Sequence, residues 1–104
     1  MTSTVSRTCT FLTNHTRVLL AVEVDPTIRI SDLARLIQVT ERGVQGLIAD
    51  LESFGCLTRV LIGRRNRYYV RYETLLPDPR DTHLTVGDLL RMTPAATERS
   101  VSVG

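Results

Sequence analysis

Between Thr40 and Gly55 the chain carries Val44, Leu47, Ile48 and Leu51, apolar residues at i, i+3, i+4 and i+7. At about 100° per residue the four share one stripe of an α-helix, so this segment has to bury that face against other elements. Thr40 offers a hydroxyl for the N-terminal cap. Gly55 can take the left-handed conformation that ends many helices. Arg42, Gly46, Ala49 and Ser53 lie on the opposite side, with Gln45 and Asp50 on the two flanks.

The remaining elements supply the partners for this stripe. With 104 residues, no Trp and 5% aromatics, the chain suffices for one domain whose core is mainly Leu, Ile and Val. Residues 1–12 are rich in Thr and Ser and are expected to form a loose leader. A first helix is predicted from Thr13 or Asn14 to about Val24, stopped by Pro26. Ile28-Arg29-Ile30 alternates and predicts a short strand. Ser31 is expected to cap a second helix over Asp32–Ile37 with Leu33, Leu36 and Ile37 buried. Gln38-Val39 then forms a tight connection to the helix capped by Thr40.

Beyond Gly55, Leu57–Ile62 and Arg67–Tyr72 are β-rich, and Gly63-Arg64-Arg65-Asn66 between them suits a hairpin turn. Residues 73–82 hold Pro77 and Pro79 and predict a linker. Thr85 can cap a last helix, Val86–Met92, with Val86, Leu89 and Leu90 on one side. Residues 93–104 are expected to be disordered. The fold class is thus α+β, mainly α with a small β-hairpin. The domain proper spans 13–72, and 73–92 is an added linker and helix.

Several function classes find no support in the sequence. Cys9 and Cys56 are too few and too far apart for a disulfide framework or a zinc site, which points to a reducing cytoplasm. The apolar run Val18–Val22 is interrupted by Glu23 and Asp25, so it is neither a signal core nor a membrane span. No nucleophile elbow, phosphate loop or closely spaced ligand set is present, so neither an enzyme nor a cofactor is expected. His15 and His83 could meet if the first and last helices pack together, with capping or core hydrogen bonding as their expected role. Cys56 is expected to be a small buried hydrophobe.

Charge distribution is more informative than net charge. Residues 40–72 carry six Arg against three acids, whereas 73–104 carry three Arg against five. All thirteen basic residues are Arg. A GC-rich genome explains that, and the guanidinium fork also suits phosphate and guanine. A basic middle suggests a polyanion-facing surface.

Helix, strand, helix, short turn, helix and basic hairpin is the order of a winged helix-turn-helix, a three-helix core with a basic wing and here a short C-terminal helix. In that arrangement the third helix, about 41–54, enters the major groove of double-stranded DNA and its outer residues meet base edges. Arg42 and Gln45 are the candidate base readers, suited to guanine and adenine respectively, and Ala49 could touch a thymine methyl. Thr40, Arg59, Arg64, Arg65, Asn66 and Arg67 are candidates for the DNA backbone or the minor groove. Gly43 and Gly46 each cost about 1 kcal/mol relative to Ala in a helix interior. Either they permit close backbone approach to the groove or they reflect weakened affinity.

The stretch Asn14-His15-Thr16-Arg17-Val18-Leu19-Leu20 leads a further set: Ile30-Ser31-Asp32-Leu33-Ala34, Thr40-Glu41-Arg42 and Ala49-Asp50-Leu51-Glu52. With Gly63-Arg64-Arg65-Asn66-Arg67-Tyr68 and Thr85-Val86-Gly87-Asp88-Leu89-Leu90, these resemble small actinobacterial winged helix-turn-helix regulators of the MarR or ArsR type. The resemblance covers about residues 11–92 and implies a transcription factor at the nucleoid, typically a homodimer, with no effector specified. Gln38, Gly43 and Gly46 depart from the usual pattern. Val86, Leu89 and Leu90 are the candidate dimerisation residues, packing either on the first helix of their own subunit or across a two-fold axis. The competing expectation is a winged helix that serves as a protein-interaction module with weak or no DNA binding.

Overall fold

A computed structural model describes residues 12–92; the expected leader, apart from Leu12, and the expected tail lie outside the described residues. Within them the fold is α+β: four α-helices and one two-stranded antiparallel hairpin. Helix α1 spans Asn14–Val24, α2 Ile30–Ile37, α3 Glu41–Ser53 and α4 Val86–Arg91; strands β1 and β2 span Leu57–Ile62 and Arg65–Val70.

The core forms where the helical stripes meet. Val18, Leu19, Ala21 and Val22 of α1, Leu33 and Ala34 of α2, and Val44, Ile48 and Leu51 of α3 are buried together with Cys56, Leu57 and Tyr68. Thr13 Oγ1 starts α1 by accepting the Thr16 N–H at 3.2 Å. Thr40 Oγ1 starts α3 by accepting the Gly43 N–H at 2.9 Å, as the sequence leads one to expect. At the far end of α3 the Cys56 N–H reaches Leu51 O at 2.9 Å and the Gly55 N–H reaches Glu52 O at 3.0 Å. With Gly55 at φ +78° this is a Schellman motif, in which two orphan carbonyls are satisfied by the residues just past the helix.

Helix α2 departs from the sequence-based expectation in three respects. Ile28–Ile30 is not a strand: Ile30 is already the first residue of α2, and only one backbone bond, Tyr68 N–H to Pro26 O at 2.8 Å, links this region to β2. Pro26 has no N–H to return that bond, so an antiparallel ladder cannot be propagated there. Ser31 therefore lies inside the helix, and the N-cap position falls to Arg29, whose side chain makes no capping bond. Finally, Leu36 is 63% exposed, not buried. Ile30, Leu33, Ala34 and Ile37 define the inward stripe, and Leu36 sits about 110° from its centre.

Between α2 and α3, Gln38 takes φ 61°, ψ 48°, and is the sole non-glycine residue with positive φ among those described. Its N–H and that of Val39 both bond Ala34 O, which closes α2 and turns the chain into the Thr40 cap.

The hairpin is tighter than the sequence suggests. Ile62 pairs with Arg65, so the turn is the two residues Gly63-Arg64 and β2 begins at Arg65, two residues before the expected start. Positive φ at Gly63 (66°) and not at Arg64 fits a type II′ turn, whose twist matches the flanking strands. Tyr68 turns into the core, while Val60, Leu61 and Ile62 near the turn remain exposed.

Residues 73–85 are a bonded return, not a free linker. Thr74 Oγ1 donates to Gly55 O at 2.6 Å, the Leu76 N–H bonds Leu84 O at 2.9 Å, and Pro79–Asp81 forms a 3₁₀ turn. Thr85 and Asp88 then make a reciprocal capping box at the start of α4. The Val86 N–H bonds Thr74 O at 2.8 Å and the Gly87 N–H bonds Tyr72 O at 2.9 Å. A Cβ at Gly87 would stand 3.2 Å from Tyr72 O, so glycine permits this approach. Val86 and Leu90 enter the same core as α1 to α3, and the expected boundary at residue 72 does not divide the packing.

The left-handed residue at Gln38 yields a stability prediction. That conformation costs a non-glycine residue about 1–2 kcal/mol, more than the roughly 0.4–1 kcal/mol of unfolded-state entropy that glycine adds. Gln38→Gly is expected to raise stability by up to about 1 kcal/mol, read as a higher urea midpoint. A lower midpoint would show that the glutamine side chain contributes more than its backbone costs.

Candidate nucleic-acid interface

Helix α3 presents the residues that its sequence pattern assigned outward. Arg42, Gln45, Gly46 and Ala49 are all exposed, with Val44 and Ile48 fully buried beneath them. Thr40 is exposed at the N-terminal end, its hydroxyl committed to the Gly43 N–H. Asp50 on the flank is tied to α1, since His15 Nε2 lies 2.9 Å from Asp50 Oδ2. This bond gives His15 a role within the fold, and His83 is exposed and distant in the chain from it.

The two glycines of α3 differ in surroundings. A Cβ at Gly43 would lie 3.2 Å from the capping Thr40 Oγ1, whereas one at Gly46 would meet nothing within 4 Å. Packing thus gives a reason for the first glycine and none for the second.

The arginines divide by partner. Arg35, Arg59, Arg71, Arg80 and Arg91 each sit against a carboxylate. Among the described residues Arg17, Arg29, Arg42, Arg64, Arg65 and Arg67 form no ion pair, and the Arg67 guanidinium instead lies 5.5 Å from the centroid of the Tyr69 ring. Arg59, assigned from sequence to the polyanion-facing surface, has its Nη2 3.1 Å from Glu52 Oε1. It braces β1 against α3 and carries a partly compensated charge.

Arg64, Arg65 and Asn66 are brought together with a residue that sequence reasoning left out. A groove of about 490 Å³ between the hairpin and the start of α2 is lined by Arg29, Arg64, Arg65 and Asn66, with Ile28, Ile30 and Tyr68 as its apolar part. The alternation of Ile28-Arg29-Ile30 carries no signal for a helix start, so the sequence alone does not single out Arg29. As the uncapped N-cap of α2 it stands at the positive end of a helix, beside amides that no side-chain oxygen satisfies. Three unpaired guanidiniums around one groove make a surface able to hold anionic oxygens. No side chain of α3 lines this groove, so the α3 face and the arginine groove are two separate candidate contact areas.

The proposed dimerisation residues are not presented as a set. Val86 is fully buried and Leu90 is 4% exposed, both within the core of their own chain. Leu89 is half-buried and lines a different cleft. Val86 and Leu90 pack within their own subunit, and Leu89 does not join them in the core.

Among the described residues no group of three or more His, Cys, Asp or Glu side chains is placed to hold a metal ion. No described helix is long and apolar enough to cross a membrane. Cys56 is buried, and burial raises its thiol pKa, which disfavours the reactive thiolate.

The contrast between the glycines can be measured. Gly46→Ala is expected to stabilise the protein by about 1 kcal/mol, the helix-propensity difference without a packing penalty. Gly43→Ala should gain less, because the capping hydroxyl must shift; equal gains in urea unfolding would show that the cap tolerates the methyl group. Compared with family models, with curated proteins and with solved structures, the chain matches none.

Proposed function

We propose that this chain is a winged helix-turn-helix protein that binds double-stranded DNA in a sequence-dependent manner and regulates transcription. The observation that carries the proposal is the segregation of unpaired guanidiniums. Arg42 stands on the solvent face of α3, and Arg29, Arg64 and Arg65 surround the groove between hairpin and α2, while five other arginines are matched to carboxylates. Phosphate supplies the missing counter-charge in a regular array, and base edges supply acceptors for a guanidinium on a groove-lying helix.

In this proposal α2, the Gln38-Val39 turn and α3 form the helix-turn-helix, and the β1–β2 hairpin is the wing. Arg42, Gln45 and Ala49 meet base edges in the major groove. Arg29, Arg64, Arg65 and Asn66 hold the phosphate backbone or the adjacent minor groove, with Arg67 as a flanking cation. A homodimer would set two copies of α3 about one DNA turn, roughly 34 Å, apart on a palindromic site. Its contact surface would lie outside Val86 and Leu90, since both are committed to the core.

One observation favours a second proposal, a protein-interaction module. Leu61 is 67% and Ile62 55% exposed near the hairpin turn, an apolar end that phosphate contact does not require.

Selection of fragments from a random duplex library at physiological salt distinguishes the two. A palindromic enriched motif is the expected outcome; no retention of DNA by folded protein would transfer the assignment to the interaction module. Arg42→Ala is expected to relax preference at one base position, at a cost of about 1–3 kcal/mol in discrimination. Uniform weakening across sequences would make Arg42 a phosphate contact instead. Replacing Arg29, Arg64 and Arg65 together by Ala should flatten the slope of log affinity against log salt by about 0.9 per lost phosphate contact. An unchanged slope would remove the groove from the interface.

A further inference from the structure

A second concavity, of about 370 Å³, opens between the start of α1, the end of α3 and the bonded return that leads to α4. Its size falls in the range of about 300–1,000 Å³ common for small-molecule sites. Its walls are mainly apolar: Leu12 and Leu19 from the α1 side, Leu51 and Phe54 from α3, and Leu76 and Leu89 from the return and α4. Phe54 lines this cleft and keeps 47% of its surface exposed, so the lining includes an aromatic side chain that is not packed away in the core.

The polar groups of the cleft have one sign of charge. Asp78 and Asp81 are both in its lining, and no arginine is. The Arg80 guanidinium and backbone N–H on Asp78 hold that carboxyl down at about 2, so it is ionised at neutral pH. Arg80 is bonded to Asp78 and also feels the charge of Asp81, so one guanidinium is set against two carboxylates; its side chain is 86% exposed and outside the lining. Asp81 accepts no side-chain hydrogen bond among the described residues. His15, also in the lining, is engaged by Asp50 at 2.9 Å. An anionic ligand would meet two carboxylates and no guanidinium in the lining. A cation would find at Asp81 a carboxylate that no side chain hydrogen-bonds, with the aromatic surface of Phe54 in the same lining.

We propose that this cleft is a binding site for an organic cation, an amine carried on an aromatic or alkyl body. The body replaces water against the Leu and Phe walls, and the ammonium is held at Asp81. Leu51 lies in the last turn of α3 and Phe54 is its C-cap, so an occupant touches the end of the helix proposed to read DNA. That consequence rests on the DNA-binding proposal; binding itself does not.

Tryptamine and indole-3-propionate form a suitable probe pair, because they share an indole and a two-carbon arm and differ in the sign of the terminal charge. The protein contains no Trp, so indole emission and its anisotropy report the ligand alone. Titration of the full chain without DNA is expected to give saturable binding of tryptamine and at least roughly fivefold weaker binding of the propionate, the scale of one exposed charge pair. Asp81→Asn should remove most of that difference, and Phe54→Ser should weaken both ligands; both residues retain solvent contact, and far-UV circular dichroism checks folding. Equal affinity for the two probes, a difference that survives Asp81→Asn, or absence of saturable binding would each overturn the proposal. A concentration-dependent dimer that Phe54→Ser dissolves and tryptamine leaves intact would overturn it in favour of a second copy of the chain.

Discussion

The burial of one face of α3 is the constraint on which the remaining structure depends. Val44 and Ile48 are fully buried and Leu51 nearly so, and each other helix contributes apolar residues to the same core. Both ends of α3 are fixed by local hydrogen bonds, the Thr40 cap before it and the Gly55 Schellman motif after it. With length and rotation set in this way, the outer face of the helix is set as well. Arg42, Gln45 and Ala49 are presented to solvent because their neighbours cannot be.

The same constraint orders the flanking elements. The turn before α3 is short enough that Gln38 adopts a left-handed conformation, and the bonds of its N–H and the Val39 N–H to Ala34 O compensate for that strain. After α3 the chain runs directly into β1, braced by Arg59 on Glu52. Farther along, Arg71 and Thr74 bond back to Cys56 and Gly55, and the return that follows brings Val86 and Leu90 into the same core. Glu23 at the end of α1 accepts a hydrogen bond from the Tyr72 hydroxyl at 2.9 Å. Partial burial and that carboxylate push the tyrosine up to about 12, so it remains the donor throughout the neutral range.

Electrostatics divide the surface according to this framework. Where an arginine lies within reach of an acid on its own or a neighbouring element, as at Arg35, Arg59 and Arg91, the charges are matched; exposed pairs of this kind contribute about 0–1 kcal/mol each. Apart from Arg17 on α1, the unmatched arginines among the described residues lie on the α3 face, the hairpin and the start of α2. The cleft at the end of α3 has the opposite character, apolar walls with two carboxylates. The molecule thus presents a cationic groove and an acidic apolar cleft.

Much of this architecture was determined by sequence alone, because it arises from interactions within a few residues. The caps at Thr40 and Thr85, a first cap at Thr13 or Asn14, the stop at Gly55, the stripe of α3 and the existence of the hairpin all follow from local periodicity and hydrogen-bonding chemistry. Outward presentation of Arg42, Gln45 and Ala49 follows from the same periodicity. What only the tertiary structure decided depends on partners distant in the chain. Ile28–Ile30 has the composition of a strand, but its neighbour on the sheet side offers one bond to a proline, so no strand forms and the helix α2 opens at Ile30 with Arg29 as its N-cap. Leu36 loses burial because the core is centred between Leu33 and Ala34. Arg29 joins Arg64 and Arg65 only when the hairpin folds back across thirty-odd residues, and Arg59 is drawn away to Glu52. Val86 and Leu90, as suited by composition to a second copy as to their own core, are placed inside by the hydrogen bonds of the 72–87 return, an arrangement that no local pattern encodes.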